Sequence, residues 1–182
     1  SSPAVTMAVV MYNEAQHVRG CVEALLAQDY AGEREILIVD GQSTDGTREI
    51  LHAYEGRVRV LDNPGRTIAS NRNLILQEAR HPLIAFTDGD CAPPPHWLST
   101  LVRVYTERKA VDPALVGVGS GNGLPAEPSS FRLLLDLATN SLAGSLGSIQ
   151  GKRYDQGRPV ESLGCFNALY EKDALLALGG FD

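Results

Sequence analysis

The fold is decided by the stretch VTMAVVMYNEAQHVRGCVEALLAQDYAGEREILIVD, residues 5–40. It begins and ends with short apolar runs, at 5–11 and 35–39, that are rich in β-branched residues and typical of buried strands. Between them, the segment 15–28 carries apolar side chains at helical spacing, namely Val18, Val22, Leu25 and Leu26. We therefore predict a strand–helix–strand unit in which one apolar stripe of the helix faces the sheet.

The same alternation continues along the chain. Further strands are predicted at 58–61, 83–87 and 115–118, and further helices at 48–54, 67–79, 96–108 and 173–178. Asp45 lies in a polar stretch before the second helix and is its predicted N-cap. Repeated strand–helix units imply an α/β fold with a mostly parallel sheet flanked by helices. We predict a single domain over residues 1–182.

Composition and charge narrow the class of protein. The 182 residues are 43% hydrophobic and 21% charged, as in ordinary globular domains. The formal net charge of −6, without a run of basic residues, argues against nucleic acid as a partner. The three cysteines, Cys21, Cys91 and Cys165, lack a metal-finger spacing. This favours a reducing, cytoplasmic compartment and a packing role for Cys91.

No segment is predicted to cross a bilayer, and contact with a membrane surface is one of two alternatives for the most apolar stretch. Residues 5–11 are too short for a signal peptide and lack a basic segment before them. The most apolar stretch, 131–149, is interrupted by Arg132 and Asp136, and a charged group at the bilayer centre costs about 2.5–3.5 kcal/mol. We predict a helix there that covers apolar surface, either within this domain or at the cytoplasmic face of a membrane.

Polar residues follow the predicted strands at their carboxyl ends, where parallel α/β sheets bind ligands. They are Tyr12, Asn13 and Glu14 after the first strand, Asp40 after the second, and Asp88-Gly89-Asp90 after the fourth. Residues i and i+2 of an extended backbone point the same way, so Asp88 and Asp90 can share one ligand while Gly89 leaves room. Two carboxylates suit Mg²⁺ or Mn²⁺, which proteins hold together with substrate phosphates. The alternative is an ordinary polar turn.

Five segments, in this order, resemble the family 2 glycosyltransferases. They are VVMYNE at 9–14, IVDGQSTDGT at 38–47, NPGRTIASNRN at 63–73, FTDGD at 86–90 and GGFD at 179–182. The resemblance implies the GT-A fold, a Rossmann-like fold that binds nucleotide-diphospho-sugars. It also implies inverting transfer of a sugar from such a donor to an acceptor hydroxyl, in polysaccharide or glycolipid synthesis, with Mn²⁺ or Mg²⁺ as cofactor.

The resemblance assigns expected roles to individual residues. Asp40 would contact the nucleotide base with Tyr12 packed beside it, and Asp90 would be the direct metal ligand supported by Asp88. The expected nucleotide-binding set is Tyr12, Asn13, Glu14, Asp40, Arg72 and Asp88. The expected acceptor-side set is Asn167, by resemblance, and the basic residues Lys152 and Arg153. Structural alternatives stay open: a core-edge aromatic for Tyr12, a turn carboxylate for Asp40, a solvated side chain for Arg72 and a helix cap for Glu14.

Two departures from the family pattern affect these expectations. Val10-Met11 stands where many members have Pro-Thr, so a hydroxyl that could bond the base is missing. UDP is the expected donor nucleotide, and this missing hydroxyl is the reason why GDP and dTDP stay as alternatives. The family's catalytic base belongs to an acidic pair shortly after the GGFD segment. We therefore expect the base after Asp182 and the domain to be incomplete at its C-terminal end, with Asp182 and Glu161 as the first candidates inside the chain.

Two rival functions remain. A nucleotidyltransferase that makes nucleotide sugars would need a glycine-rich, basic loop after the first strand, where this chain has Tyr12-Asn13-Glu14. A nucleotide-sugar-binding module without turnover would keep the same pocket. The expected acceptor is a saccharide or a lipid-linked molecule.

Overall fold

The computed structural model describes residues 2–65, 67–119 and 164–182. Within these residues the strands are β1 (Val5–Met11), β2 (Arg34–Asp40), β3 (Arg59–Asp62), β4 (Leu83–Asp88), β5 (Gly117–Gly119) and β6 (Ala168–Glu171). The helices are α1 (Val18–Leu26), α2 (Thr47–His52), α3 (Ile68–Glu78), α4 (Trp97–Val111) and α5 (Lys172–Ala177).

The strands form one sheet in the order β3-β2-β1-β4-β6-β5. β1 pairs in parallel with β2 and β4, and β2 with β3, whereas β6 is antiparallel to β4 and β5. The chain moves outward from β1 through β2 to β3 and then returns to the other side of β1 as β4. Strand order therefore reverses between β1 and β4, where such sheets form a ligand-binding crevice. The predicted α/β class with a mostly parallel sheet is confirmed.

Apolar layers cover both faces of this sheet. One layer contains Met7 and Val9 of β1 with buried residues of α1, α2 and α4. The other contains Ala8 of β1 with buried residues of α3, and Leu175 of α5 packs against it. β1 is thus buried on both faces, which explains why its sequence is a continuous apolar run and not an alternation.

The starts of α1 and α2 correct two of the sequence predictions. α1 begins at Val18 and not at residue 15, because backbone amides of residues 13–15 bond to the loop after β2. The N-cap of α2 is Gly46, at φ 98°, and not Asp45. Asp45 Oδ1 still accepts hydrogen bonds from the Thr47 amide at 3.1 Å and the Thr47 hydroxyl at 2.6 Å. The Asp45 prediction is therefore wrong by one position, although the carboxylate does bind the first turn.

The sequence patterns do not predict β6. Its four residues are too short to show a period, and its partner β4 precedes it by about eighty residues. The helix predicted over 131–149 lies outside the described residues. Among the helices that the structure describes, none has the length and apolarity needed to cross a membrane.

Candidate functional site at the carboxyl ends of the strands

The candidate site lies where β1, β2 and β4 end. β1 pairs with β2 as far as Asp40 and with β4 as far as Asp88, and the turn 12–15 leaves β1 between these two carboxylates. Tyr12 is 59% exposed, which is high for an aromatic side chain. The structure therefore places Tyr12 on the surface at the strand ends and outside the core.

Hydrogen bonds fasten the turn 12–15 to the loop 41–47. Asn13 has φ 55°, in the left-handed region, and its amide donates to Ser43 Oγ at 2.9 Å. In return, Asn13 Oδ1 accepts from the Thr44 amide at 2.9 Å. This reciprocal pair holds Asn13 in a conformation that L-residues seldom adopt. Sequence reasoning did not identify Ser43 as part of the site.

A second pair of bonds continues the same connection into α2. The Glu14 amide donates to Thr47 Oγ1 at 2.8 Å, and the Ala15 amide donates to Asp45 Oδ2 at 2.9 Å. The pKa of Asp45 is lowered, mainly by the hydrogen bond from the Thr47 side chain and then by that from the Ala15 amide. Asp45 therefore stays ionised at neutral pH and bridges the two loops.

Glu14 contacts both the segment that leads into α1 and the acidic residues at the end of β4. Its carbonyl accepts from the amides of His17, at 2.9 Å, and Val18, at 2.8 Å, while the N-cap of α1 is His17. Its carboxylate lies 2.9 Å from His17 Nδ1. The same carboxylate is close enough to Asp88 to contribute to raising the Asp88 pKa. Glu14 thus adds negative charge to the end of β4.

Asp40 is fully buried and organises the loop that follows it. Its Oδ1 accepts from Ser43 Oγ at 2.5 Å and its Oδ2 from the Ser43 amide at 3.0 Å. Arg48 Nε lies 3.8 Å from Asp40 Oδ2, and Arg48 Nη2 also pairs with Asp62 at 2.5 Å. Asp40 is therefore a structural carboxylate whatever else it binds. The signal that could have revealed this is a serine three residues after a strand-end aspartate.

Three ligand atoms gather after β4. A carboxylate oxygen of Asp88, one of Asp90 and the Cys91 Sγ all lie within 4.8 Å of one another. The Cys91 thiol donates to Asp90 Oδ1 at 3.5 Å. Burial, with smaller contributions led by Asp90, raises the pKa of Cys91 to about 11. The cysteine for which sequence favoured a packing role thus belongs to the acidic group as a protonated thiol.

The donor set and its charge fit a divalent cation. Reduced solvation raises the pKa of Asp88, and the neighbouring Asp90 and Glu14 raise it further, against the opposing effect of Arg72. The acidic groups therefore outnumber the cation beside them, and a bound divalent ion would relieve this repulsion. Carboxylate oxygens are the ligands that Mn²⁺ and Mg²⁺ prefer.

Gly89 lies in a closely packed position. A Cβ at residue 89 would lie 3.0 Å from Met11 Cγ and 3.2 Å from Glu14 Cγ. The glycine lets the acidic segment approach the end of β1. The close backbone approach that the sequence predicts at Gly89 therefore includes contact with the end of β1.

Arg72 lies on α3 beside the acidic group and is partly buried. Its Nη2 donates to the Cys165 carbonyl at 3.4 Å, and its guanidinium carbon lies 5.7 Å from the centroid of the Phe181 ring. Burial raises the pKa of both Asp88 and Cys165, and the charge of Arg72 opposes that rise. Arg72 is therefore not a freely solvated side chain, and the structure brings it to the same site as the acidic residues.

The acceptor-side residues are only partly described. Asn167 precedes β6 with φ 52°, and its Oδ1 accepts a hydrogen bond from Trp97 Nε1 at 2.5 Å. This contact ties the start of β6 to the start of α4. Lys152, Arg153 and Glu161 lie outside the described residues. Asp182 is exposed.

Gln28 supports the segment after Asp90 and was not identified from sequence. It is 3% exposed, its Nε2 donates to the Pro94 carbonyl at 2.9 Å, and its Oε1 accepts from the Leu98 amide at 2.9 Å. It therefore satisfies an amide in the first turn of α4. The signal that could have identified Gln28 is its position, because it is a polar residue that continues the helical spacing of the apolar stripe of α1.

Comparisons with known proteins agree with this geometry. The sequence profile described as "Glycosyl transferase family 2" matches residues 6–177. Glycosyltransferase AglE of Haloferax volcanii is 33% identical over 101 residues, which cover 53% of this chain and 33% of that protein.

Two solved structures have the same fold. The mannosyltransferase PcManGT from Pyrobaculum calidifontis, solved in complex with GDP-Man and Mn²⁺, superposes with a TM-score of 0.68 at 23% identity, covering 100% of this chain and 48% of its own. S. aureus TarS 1–349 in complex with UDP-GlcNAc gives 0.66 at 15% identity, covering 97% of this chain and 48% of its own. This chain spans about a third of the length of the Haloferax protein and about half of the two solved chains. Because the profile match covers most of the chain, and the sheet and its neighbours confirm the predicted GT-A fold, the chain belongs to glycosyl transferase family 2.

Proposed function

We propose that this chain binds a nucleoside-diphosphate sugar together with a divalent cation and forms the donor site of an inverting glycosyltransferase. The observation that carries the proposal is the acidic group of Asp88 and Asp90 at the switch point of the sheet, with Arg72 beside it. Family membership supports it, as do the GDP-Man and Mn²⁺ in the Pyrobaculum structure and the UDP-GlcNAc in the TarS structure.

The nucleoside would bind over the turn 12–15. Tyr12 exposes its ring there and can pack against a base. Asp40 is fully buried with both oxygens bonded to Ser43, so contact between Asp40 and the base would require the loop 41–47 to open. Asn13 and Glu14 would shape the turn on which the nucleotide lies. UDP is the favoured nucleotide, with GDP and dTDP as alternatives.

The diphosphate would bind between the acidic group and Arg72. Mn²⁺ or Mg²⁺ would be held by Asp90 directly, with Asp88 in support, and by oxygens of the diphosphate. When bound, the ion supplies electrostatic stabilisation to the departing diphosphate. Arg72 adds a positive charge and N–H donors on the α3 side of the site.

The reaction would be a single displacement. The acceptor hydroxyl attacks the anomeric carbon opposite the nucleotide, the bond from that carbon to the diphosphate oxygen breaks, and the configuration inverts. The hydroxyl proton passes to a general base, expected after Asp182, with Asp182 and Glu161 as candidates within the chain. A saccharide or lipid-linked acceptor would approach on the side of Asn167, Lys152 and Arg153, in polysaccharide or glycolipid synthesis at the cytoplasmic face of a membrane.

The proposal is tested by titration calorimetry of the 182-residue chain with UDP, GDP and dTDP, in Mn²⁺ and in excess chelator. We expect one nucleotide to bind with Mn²⁺ and to lose affinity in chelator, because the diphosphate and the carboxylates repel each other without the ion. Asp90→Ala should weaken Mn²⁺-dependent binding by about tenfold or more, since contacts to charged groups contribute about 1.5–3 kcal/mol.

Asp173→Ala is the matched control. Asp173 is also an exposed aspartate, but the adjacent Lys172 amide bonds to the carbonyl of Pro82, at the opposite end of β4. This variant should bind like the wild-type protein. Nucleotide affinity that is unchanged in chelator, or equal in the two variants, would rule out the proposed metal-assisted donor site.

A further inference from the structure

The segment 179–181 is clamped to α3 by one asparagine. Asn73 Nδ2 donates to the Phe181 carbonyl at 2.8 Å, and the Phe181 amide donates to Asn73 Oδ1 at 2.8 Å. A side-chain amide that pairs with both backbone groups of one residue fixes the position and the direction of that residue. Phe181 is therefore held in place by α3 and not only by apolar contact.

Gly180 makes this clamp possible. Its φ is 85°, and a Cβ there would lie 2.4 Å from Asn73 Oδ1. A side chain at position 180 would therefore be both strained and in collision with the clamp. The glycine is required so that the backbone can reach Asn73.

The Phe181 ring contacts both β4 and Arg72. It meets Phe86 of β4 edge to face, with centroids 6.0 Å apart. The Arg72 guanidinium carbon lies 5.7 Å from the ring centroid. Phe86 is two residues before Asp88, so the ring is anchored on the strand that ends in the acidic group.

An aromatic ring is suited to hold an arginine without using up its donors. A cation–π contact engages the face of the guanidinium or its charge, whereas the N–H groups remain at the edges. A carboxylate in the same place would occupy those N–H groups and neutralise the charge. A ring therefore keeps Arg72 positive and able to donate to a bound anion.

We propose that Phe181, fixed by Asn73 and Gly180, is a positioning residue that holds Arg72 towards the phosphates of a bound nucleoside diphosphate. The identity of the anion rests on the proposed function. The segment 179–181, in this view, sets nucleotide affinity through Arg72 without touching the nucleotide itself. A purely structural role would instead lower stability without changing nucleotide affinity.

The test is a double-mutant cycle read by calorimetry with UDP and Mn²⁺. Phe181→Leu should weaken binding by about 2- to 5-fold, the size of one cation–π contact at a partly exposed site. Phe181→Tyr, which keeps the ring, should restore wild-type affinity. In an Arg72→Met background, Phe181→Leu should have no further effect, because the residue through which it acts is gone.

Asn73→Ala removes the clamp and so releases Phe181 from Arg72 in a second way. Its control is Gln77→Ala, an exposed change on the same helix. Asn73→Ala should weaken binding in the wild-type background and not in Arg72→Met, while Gln77→Ala should weaken neither. Equal weakening by Phe181→Leu with and without Arg72, or no weakening at all, would overturn the proposal.

Failure of the proposed function gives a different result. If the wild-type chain binds none of UDP, GDP or dTDP with Mn²⁺, the donor site is wrong, and the cycle is then read from urea unfolding alone. A coupling between Arg72 and Phe181 in that case would make the contact purely structural and would overturn the positioning role. Zero coupling in the free energy of unfolding would show that Arg72 and Phe181 do not interact, which also overturns the proposal.

Discussion

At the scale of single residues, the site depends on carboxylates in contrasting environments. Asp40 is fully buried and bonded to Ser43 through both oxygens, whereas Asp88 and Asp90 gather at the surface around a common point. A buried carboxylate with hydrogen-bond partners stabilises the fold. Repulsion between crowded, exposed carboxylates instead favours the binding of a cation. Residue type alone does not distinguish these two cases.

Asp40→Ala should therefore destabilise the fold. The change leaves the Ser43 amide and hydroxyl without an acceptor in a buried place, and an unsatisfied buried group costs about 1–3 kcal/mol. The matched control is Asp62→Ala, since Asp62 pairs with the same Arg48 but its side chain is 52% exposed, against 0% for Asp40. Urea unfolding should show a clear loss for Asp40→Ala and little change for Asp62→Ala. Equal losses would mean that the Arg48 ion pairs, and not the Ser43 bonds, carry the effect.

Gly89→Ala should destabilise the protein and weaken the proposed metal site. The new Cβ would press on Met11 Cγ and Glu14 Cγ, and overpacking typically costs about 1–3 kcal/mol. Gly20, in α1, has open space where its Cβ would lie, so Gly20→Ala should stabilise by about 0.4–1 kcal/mol. Thermal unfolding and Mn²⁺ titration of the two variants give the comparison. A Gly89→Ala protein as stable as wild-type would show that the Met11 and Glu14 side chains can move aside for the new Cβ.

At the scale of elements, two loops act as one unit. The turn 12–15 obtains its hydrogen-bond partners from the loop 41–47 and the first residue of α2. The proposed nucleotide-binding residues that follow β1 are therefore positioned by the connection after β2. Both loops should consequently respond together to a change in either one.

Thr47→Val tests this connection, because it removes the hydroxyl that accepts from the Glu14 amide and donates to Asp45. We expect weaker nucleotide binding and a pKa of Asp45 that rises towards its ordinary value of 3.8, measured by carboxyl NMR titration. Since folding lowers this pKa, ionised Asp45 contributes stability above about pH 4 that is lost as the pH falls through the folded-state pKa. The variant should therefore lose less stability over that acid range than wild-type. Thr47→Ser keeps the hydroxyl and should behave as wild-type; an unchanged Asp45 pKa in Thr47→Val would contradict the assigned bond.

At the scale of the whole molecule, the order β3-β2-β1-β4 brings the ends of non-consecutive strands together. β1 and β4 are neighbours in the sheet although two strands and three helices separate them in the chain. The site is consequently assembled only in the folded state. A ligand that binds there must stabilise the fold.

We therefore expect Mn²⁺ and the preferred nucleoside diphosphate to raise the unfolding temperature together. At a ligand concentration of 100 times Kd, the added stability is about 2.7 kcal/mol. Differential scanning calorimetry should show the shift with both ligands present and lose it in Asp90→Ala. A shift with nucleotide alone, of equal size in chelator, would argue that Asp88 and Asp90 hold no ion.

The sequence by itself determined the α/β class, the parallel strands and the place of the candidate site. Strands of a parallel sheet are buried on both faces, so they appear in the sequence as continuous apolar runs such as 5–11 and 35–39, each followed by the apolar stripe of a helix. The polar residues that end these runs lie where parallel strands bind ligands, so Asp40, Asp88 and Asp90 could be identified without coordinates.

Only the tertiary structure decided which of these residues are buried, and what holds them. The pairing of β6 with β4, the Gln28 bonds to the start of α4, and the Asn73 and Phe181 contacts beside Arg72 all join distant parts of the chain. Such contacts leave no period in the local sequence, because each depends on one side chain meeting one backbone group across the fold. The same reason explains Asp40: its place at a strand end is a local property, whereas its burial depends on the loop and helix that close over it.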